Sequence, residues 1–289
     1  MPDFPIVDTH LHVWDPRLLR YPWLDDIPFL NKPCLLEDYD RACGPVAVGK
    51  MVFLQAEADF AQFQQEADWV DSLAGQDGRL QGIVAWAPLE LGDAARPALE
   101  QLSANPRVKG IRRIIQFEPD IEFCLRPDFV AGVQLLPQYG LTFDICIVHY
   151  QMANTIKMVA QCPEAQFILD HIGKPDIKSG LLDPWRAEIR TLSEFPNVCC
   201  KISGLVTEAD HQHWTREQLR PCVDHVIDCF GFERVMYGGD WPVAAQATVY
   251  PRWVETLEWA VAGCTNAELK KLFHDNALAF YRLDDRELS

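Results

Sequence analysis

The chain contains eight short runs of β-branched or aliphatic residues, and most of them are apolar at consecutive positions rather than at alternate ones. Such runs are typical of parallel strands that are buried on both faces. They lie at Ile6–Thr9, Met51–Gln55, Gly82–Trp86, Val108–Arg112, Thr142–Val148, Phe167–Asp170, Val198–Ile202 and Val235–Gly238. We therefore interpret these runs as eight buried strands.

Segments with a helical period lie between the strands. Phe63–Leu73 and Trp185–Phe195 each repeat apolar residues at three- and four-residue spacing, which predicts an amphipathic helix. Thr215–Gln218 and Thr265–Glu268 each have threonine first and Gln or Glu three residues later, which is the pattern of a capping box. These segments predict two further helix starts.

The alternation of strands and helices predicts the fold. Successive strands begin about thirty residues apart, which is the length of one strand–helix step. Eight such steps favour a single (β/α)₈ barrel, a TIM barrel of the α/β class, whose usual length is about 250 residues. A doubly wound open sheet is the alternative, but the chain lacks the G-x-G-x-x-G turn typical of it. We predict one barrel domain over residues 1–289.

One connection is longer than the others. The residues between the first two strands, about 13–35, include an aromatic and proline-rich insertion containing Trp14, Tyr21, Trp23 and Phe29. In a barrel, a segment that follows a strand lies over the carboxyl-terminal face. We expect a lid or a pocket wall there, and the alternative is a surface excursion that packs its own aromatic residues.

Composition and charge narrow the class of protein. The chain is 48% hydrophobic and 24% charged, with a formal net charge of −16. So acidic a surface repels nucleic-acid phosphates and anionic lipids. No apolar run has the roughly 18 to 20 residues that a membrane span needs, and Met1–Pro5 has no signal-peptide character. We expect a cytoplasmic globular protein without nucleic-acid or membrane partners, whose oligomeric state the sequence leaves open.

The ten cysteines do not form a recognisable site. No two have C-x-x-C spacing, and most lie inside apolar runs. This usage predicts reduced, buried cysteines that pack as small hydrophobic residues.

Histidine and aspartate recur where predicted strands end. His10 and His12 follow the first strand, and on extended backbone residues i and i+2 point to the same side. His149 follows the fifth strand, His171 the sixth and Asp240 the eighth. Because the carboxyl ends of barrel strands meet at the catalytic rim, we predict that these five residues form the catalytic site.

Four sequence blocks, in order along the chain, carry a family resemblance. They are Asp8–Trp14, Leu169–Pro175, Lys201–Leu205 and Gly239–Pro242, and the likeness extends from Ile6 to about Leu283. The chain resembles the amidohydrolase superfamily, and within it the branch of L-fuconolactone and L-rhamnonolactone hydrolases, which is related to the pyrone-dicarboxylate lactonases. The resemblance implies a hydrolase whose partner is a small sugar lactone.

Lactone hydrolysis needs an activated water, a polarised carbonyl and a proton for the leaving alkoxide. Asp240 is the candidate general base, and the rim histidines are candidates to polarise the carbonyl or to hold a divalent metal ion. A metal-dependent amide hydrolase or a nonoxidative decarboxylase of the same superfamily remains an alternative. A non-catalytic barrel that binds a metal or a sugar acid is a second alternative.

The fourth strand departs from the superfamily pattern. Many binuclear members have a carboxylated lysine or a glutamate at its end, whereas this chain has Arg112 and Arg113. A positive charge there disfavours a second metal ion. The two arginines point to opposite sides of an extended chain, and we expect Arg113, nearer the rim, to face the pocket and bind substrate. The other candidate substrate-binding residues are Trp14, Glu118, Lys174 and Trp241.

A single zinc-like ion is the one cofactor that the residues suggest. His10, His12 and Asp240 are its candidate ligands. The resemblance to metal-independent lactonases implies hydrolysis that does not strictly require the ion. We expect the H-x-H pair to bind zinc when it is offered, and we expect no organic cofactor.

Overall fold

Eight parallel strands form one sheet whose spatial order is the chain order. The computed structural model describes residues 1–285, so residues 286–289 of the predicted domain lie outside the described part. The strands are β1 (Ile6–Leu11), β2 (Val48–Leu54), β3 (Leu80–Ala85), β4 (Val108–Ile111), β5 (Thr142–Ile145), β6 (Phe167–Leu169), β7 (Val198–Ile202) and β8 (Val235–Tyr237). This topology confirms the predicted (β/α)₈ barrel.

The first and last strands meet at their carboxyl ends. The Asp240 amide donates to the His10 carbonyl at 2.7 Å, and the His12 amide donates to the Trp241 carbonyl at 2.8 Å. Backbone hydrogen bonds therefore hold the two histidines at the carboxyl end of β1 against the aspartate that follows β8.

Helices cover the outside of the sheet. They are α1 (Leu36–Cys43), α2 (Phe63–Ala74), α3 (Arg96–Ser103), α4 (Pro127–Leu135), α5 (Met152–Gln161), α6 (Trp185–Ser193), α7 (Arg216–Phe230), α8 (Tyr250–Ala260), α9 (Asn266–Lys270) and α10 (Asn276–Tyr281). The periodic segments are α2 and α6, and the predicted capping boxes open α7 and α9. Within residues 1–285, no helix combines the length and the apolar character needed to cross a membrane.

The largest apolar core lies between the strands and the helices that cover them. A second buried cluster joins Val7, Val52, Ile168 and Met236, from four different strands, to Tyr281 of α10. The end of α10 therefore packs against side chains that the strands bring together. All ten cysteines are free, seven of them buried and three half-buried.

The aromatic insertion packs over the carboxyl-terminal end of the barrel strands. Trp14 is fully buried, and its indole N–H donates to the carbonyl of Leu30 at 3.1 Å and to that of Lys32 at 3.0 Å. Trp23 meets Trp14 edge to face at 5.3 Å between ring centroids and donates to the Ala56 carbonyl, beyond β2, at 2.7 Å. The insertion thus packs part of its own aromatic surface and also places Trp23 beside the strand ends.

Candidate active site

His10, His12 and Asp240 come together at the carboxyl end of β1 and β8. Asp240 Oδ1 lies 3.7 Å from His10 Nε2 and 3.6 Å from His12 Nε2. The two imidazole rings are 4.9 Å apart and nearly perpendicular. All three side chains are buried, with at most 5% of each residue exposed. The structure therefore brings together the three residues that the sequence predicts as metal ligands.

The orientation of His12 follows from its second nitrogen. Its Nδ1 lies 2.8 Å from the Leu54 carbonyl oxygen, which can only accept, so Nδ1 carries the proton. Nε2 then offers a lone pair towards Asp240 in the neutral ring. Burial lowers the pKa of His12 although Asp240 opposes the shift, and burial likewise lowers the pKa of His10. Both rings are therefore held neutral.

Asp8, which sequence reasoning did not assign a role, anchors the loop that carries Asp240. Its Oδ1 accepts the amide of Gly239 at 2.8 Å and that of His10 at 2.9 Å. Its Oδ2 accepts the hydroxyls of Tyr39 at 2.8 Å and Tyr250 at 2.9 Å. Since Asp240 itself has left-handed backbone at φ 54°, this anchoring fixes an otherwise unfavourable conformation.

His171 forms the other side of the cluster. Its ring centroid lies 4.4 Å from that of His10, and its Nδ1 is 2.9 Å from the Ser203 hydroxyl. Burial lowers the pKa of His171 well below its usual value. Gly204 follows at φ 64°, and a Cβ there would lie 2.4 Å from His171 Nδ1 and 3.0 Å from Asp240 Oδ2. Only glycine lets the backbone approach these side chains so closely.

The structure reverses the expected orientation of the two arginines. Arg112 lines the catalytic cavity, where its Nη1 lies 3.3 Å from His10 Nε2 and its Nη2 donates to the Gln55 carbonyl. Arg113 instead forms ion pairs with Glu90 at 3.2 Å and Glu118 at 2.5 Å. The expectation that Arg113 faces this cavity is therefore wrong, because carboxylates on the other side of the strand hold it there.

A buried charge network lies beneath the cluster. Lys201 Nζ contacts Asp144 at 2.9 Å and Asp170 at 2.8 Å, and all three side chains are fully buried. Asp170 Oδ2 also lies 3.4 Å from Arg112, and Oδ1 lies 3.4 Å from His10 Nδ1. Burial opposes ionisation of Asp170, but Lys201 and Arg112 outweigh it and lower its pKa. Sequence reasoning missed this network because each member looks like an isolated polar residue within an apolar strand.

The cavity above the cluster has a volume of about 190 Å³. Its lining includes His12, Arg112, His171, Lys174 and Asp240 among polar residues. Apolar and aromatic side chains complete the wall, and they are Trp23, Ile27, Ala56, Ile114, Phe117 and Val243. Trp23 and Ile27 come from the insertion between β1 and β2.

Several predicted site residues do not line this cavity. His149 lies beyond the end of β5 and its Nδ1 bonds to the Lys174 carbonyl at 3.1 Å. The strand β5 ends at Ile145 rather than at the predicted Val148, and the Cys146 carbonyl beyond it accepts the amides of Ile115 and Gln116 in the loop after β4. Trp14 is buried behind Trp23, and Trp241 packs on Tyr39 at 5.5 Å. Substrate contacts by these residues, and by Glu118, stay predictions.

The donor set at His10, His12 and Asp240 fits one divalent ion. Its ligand atoms lie within 4.8 Å of one another, and the Leu54 bond leaves His12 Nε2 free to coordinate. The guanidinium of Arg112 beside His10 adds a competing positive charge. A second grouping, His10 with Asp170 and His171, fits an ion poorly because Asp170 is already paired with Lys201.

Comparison with known proteins gives consistent matches along nearly the whole chain. The amidohydrolase family model matches residues 7–283. L-fucono-1,5-lactonase of Burkholderia multivorans is 30% identical over 291 residues, which cover 96% of each chain. The uncharacterized protein y4mH of Sinorhizobium fredii is 30% identical over 98% of this chain and 100% of its own. A solved amidohydrolase of Burkholderia multivorans with bound zinc has a TM-score of 0.87 at 29% identity and covers 97% of this chain and 100% of its own.

Proposed function

Because this chain belongs to the amidohydrolase family, we propose that it is a hydrolase that opens a small sugar-acid lactone to the open-chain acid. L-fucono-1,5-lactone or a similar aldonolactone is the proposed substrate. The 30% identity to L-fucono-1,5-lactonase along 96% of the chain supports this choice. The observation that carries the proposal is that the Asp240 carboxylate lies beside two neutral imidazoles, His10 and His12, and lines one cavity together with His12 and the Arg112 guanidinium.

Asp240 is the proposed general base. Its carboxylate takes a proton from the attacking water and then delivers that proton to the ring oxygen as the ester bond breaks. The backbone bond from its amide to the His10 carbonyl, at 2.7 Å, and the anchoring of Gly239 by Asp8 fix its position. A base held in this way needs no rearrangement when the lactone arrives.

Arg112 is the proposed stabiliser of the oxyanion that forms on the lactone carbonyl. It is 3% exposed and is the buried guanidinium that lines the cavity, and a fixed positive charge in a water-poor site stabilises developing negative charge strongly. His12 and His171 also line the cavity, and as neutral rings they serve as hydrogen-bonding groups rather than as cations. Lys174 lines the same wall and is a proposed contact for a substrate oxygen.

A zinc ion, when bound, would be held by His10, His12 and Asp240 and would supply Lewis-acid polarisation of an oxygen. We propose that hydrolysis does not strictly require it. Arg112 already places positive charge beside His10 Nε2, at 3.3 Å, where it can act on the carbonyl oxygen.

The experiment is a panel of aldono-1,4- and aldono-1,5-lactones assayed by proton release, with and without a metal chelator. The proposal predicts enzyme-dependent acid release from at least one aldonolactone and retention of that activity after chelation. No acid release from any lactone would refute the proposal. Activity that appears only on amides or on aromatic carboxylates, and is lost with the chelator, would instead support a metal-dependent amide hydrolase or decarboxylase.

A further inference from the structure

Glu57 is a carboxylate in the catalytic cavity that the proposed hydrolysis does not use. It follows β2 by three residues and lines the same cavity as Arg112 and Asp240. It is half-buried, and no ion pair within residues 1–285 involves it. Burial raises the pKa of Glu57, and Arg112 and Arg113 oppose that shift from beyond ion-pair distance. A cavity carboxylate with no ion pair in direct contact is available to a ligand.

The backbone at Glu57 is held in an unfavourable conformation. Its φ is 55°, in the left-handed region that favours glycine, and such residues cluster at functional sites. Gln55 fixes it by two hydrogen bonds: the Glu57 amide donates to Gln55 Oε1 at 2.6 Å, and Gln55 Nε2 donates to Glu57 Oε1 at 2.7 Å. The Gln55 carbonyl also accepts from Arg112. Gln55 therefore positions both the Arg112 guanidinium and the Glu57 carboxylate.

The surroundings of Glu57 suit a carbohydrate. Its side chain lies between the catalytic cavity and an adjoining cleft, and Trp23 and Phe117 line both spaces with it. The Ala56 carbonyl fixes the Trp23 indole at 2.7 Å, while Phe117 is 66% exposed. Aromatic rings cover the C–H faces of sugars, and a carboxylate accepts hydrogen bonds from their hydroxyls.

We propose that Glu57 determines specificity by accepting hydrogen bonds from hydroxyls on the lactone ring carbons away from the reacting carbonyl. The bond from Gln55 engages Oε1, and the proposal assigns Oε2 to the substrate. Glu57 thereby selects polyhydroxylated lactones over unsubstituted ones. This inference rests on the proposed lactone hydrolysis.

The test compares two substrates in two variants. Glu57→Gln should lower kcat/KM for L-fucono-1,5-lactone by roughly tenfold to a hundredfold, mainly through KM, because a hydrogen bond to a charged group is lost. The same variant should leave kcat/KM for unsubstituted δ-valerolactone within about threefold, since that lactone has no hydroxyl to bind. Asp68→Asn is the matched control: Asp68 is an exposed carboxylate on α2 that lines neither the cavity nor the cleft, and its neutralisation should change neither value.

A second variant, Glu57→Gly, tests whether the loss of activity comes from misfolding. Glu57→Gly suits the left-handed backbone, so its thermal unfolding temperature should be no lower than that of the wild type while the selective loss persists. Equal losses on both lactones, a loss confined to kcat, or no loss at all would each overturn the role of Glu57. A wild-type protein that opens neither lactone, nor any other in the panel, would refute the proposed function and this inference with it.

Discussion

Single residues in this site are oriented by partners that are distant in the sequence. Arg112 and Arg113 are adjacent, and extended backbone requires only that they point to opposite sides. The Gln55 carbonyl and the Asp170 carboxylate bind the Arg112 guanidinium on one side. Glu90 and Glu118 bind the Arg113 guanidinium on the other side. A single sequence does not show which residues of other strands lie opposite, so the pair was predictable and its orientation was not.

The two arginines give a direct comparison. Arg112→Lys should lower kcat/KM for an aldonolactone by about tenfold or more beyond the effect of Arg113→Lys, because an ammonium cannot span the partners that a planar guanidinium holds. Steady-state kinetics of both variants, with circular dichroism to check folding, measure the difference. A greater loss in Arg113→Lys would contradict the assignment of Arg112 to the oxyanion.

At the scale of elements, the strand-end loops bring the site together. The sequence places His10, His12, His171 and Asp240 after three strands, and the barrel topology then predicts that they meet at one rim. The same reasoning placed His149 directly after the fifth strand, whereas β5 ends at Ile145 and His149 does not line the cavity. Strand ends depend on which N–H groups and carbonyl groups of neighbouring strands pair with one another, and hydrophobic pattern alone does not determine this pairing.

Gly204, in the loop after β7, can be compared with Gly140 to test whether its close approach to the site positions the catalytic groups. Gly204 and Gly140 both have left-handed backbone, at φ 64° and 67°, but only a Cβ at Gly204 meets His171 and Asp240. Both Gly→Ala variants should lose stability by about 1 kcal/mol from the backbone conformation. Gly204→Ala should in addition lower kcat by about tenfold or more, because it displaces the imidazole and the carboxylate.

Thermal unfolding and kinetics of the two alanine variants separate these effects. Equal kcat values in Gly204→Ala and Gly140→Ala would show that the close approach at Gly204 does not position the catalytic groups.

For the whole molecule, the spacing of apolar runs predicted the barrel and its strand count, because each buried strand produces a recognisable apolar run within a few consecutive residues. Buried charges were not predictable in the same way. Lys201, Asp144 and Asp170 lie on three different elements, and only the closed barrel makes them partners. Glu66 is similar: it lies on α2, 1% exposed, and accepts the Ala56 amide at 3.1 Å.

Glu66 predicts how global stability depends on pH. Burial raises its pKa to about 8, so the folded protein retains a proton that the unfolded chain releases near pH 4.5. The free energy of unfolding should therefore fall as pH rises between those values, by up to about 1.4 kcal/mol per pH unit. Glu66→Gln should weaken the decline between about pH 5 and pH 8, measured by urea unfolding.

The control is Asp68→Asn, which removes an exposed carboxylate from the same helix. It should keep the pH dependence of the wild type. An unchanged decline in Glu66→Gln would show that Glu66 does not retain its proton in the folded state.

Hydrolysis of a sugar lactone with Asp240 as the general base is the proposed activity of this barrel. The most direct measurement is the steady-state rate of acid release from L-fucono-1,5-lactone by the wild type and by Asp240→Asn, corrected for spontaneous hydrolysis. We expect turnover by the wild type and a loss of kcat by about a hundredfold or more in Asp240→Asn with a modest change in KM, because the variant retains the cavity and lacks the base. Turnover retained by Asp240→Asn would show that Asp240 is not the general base.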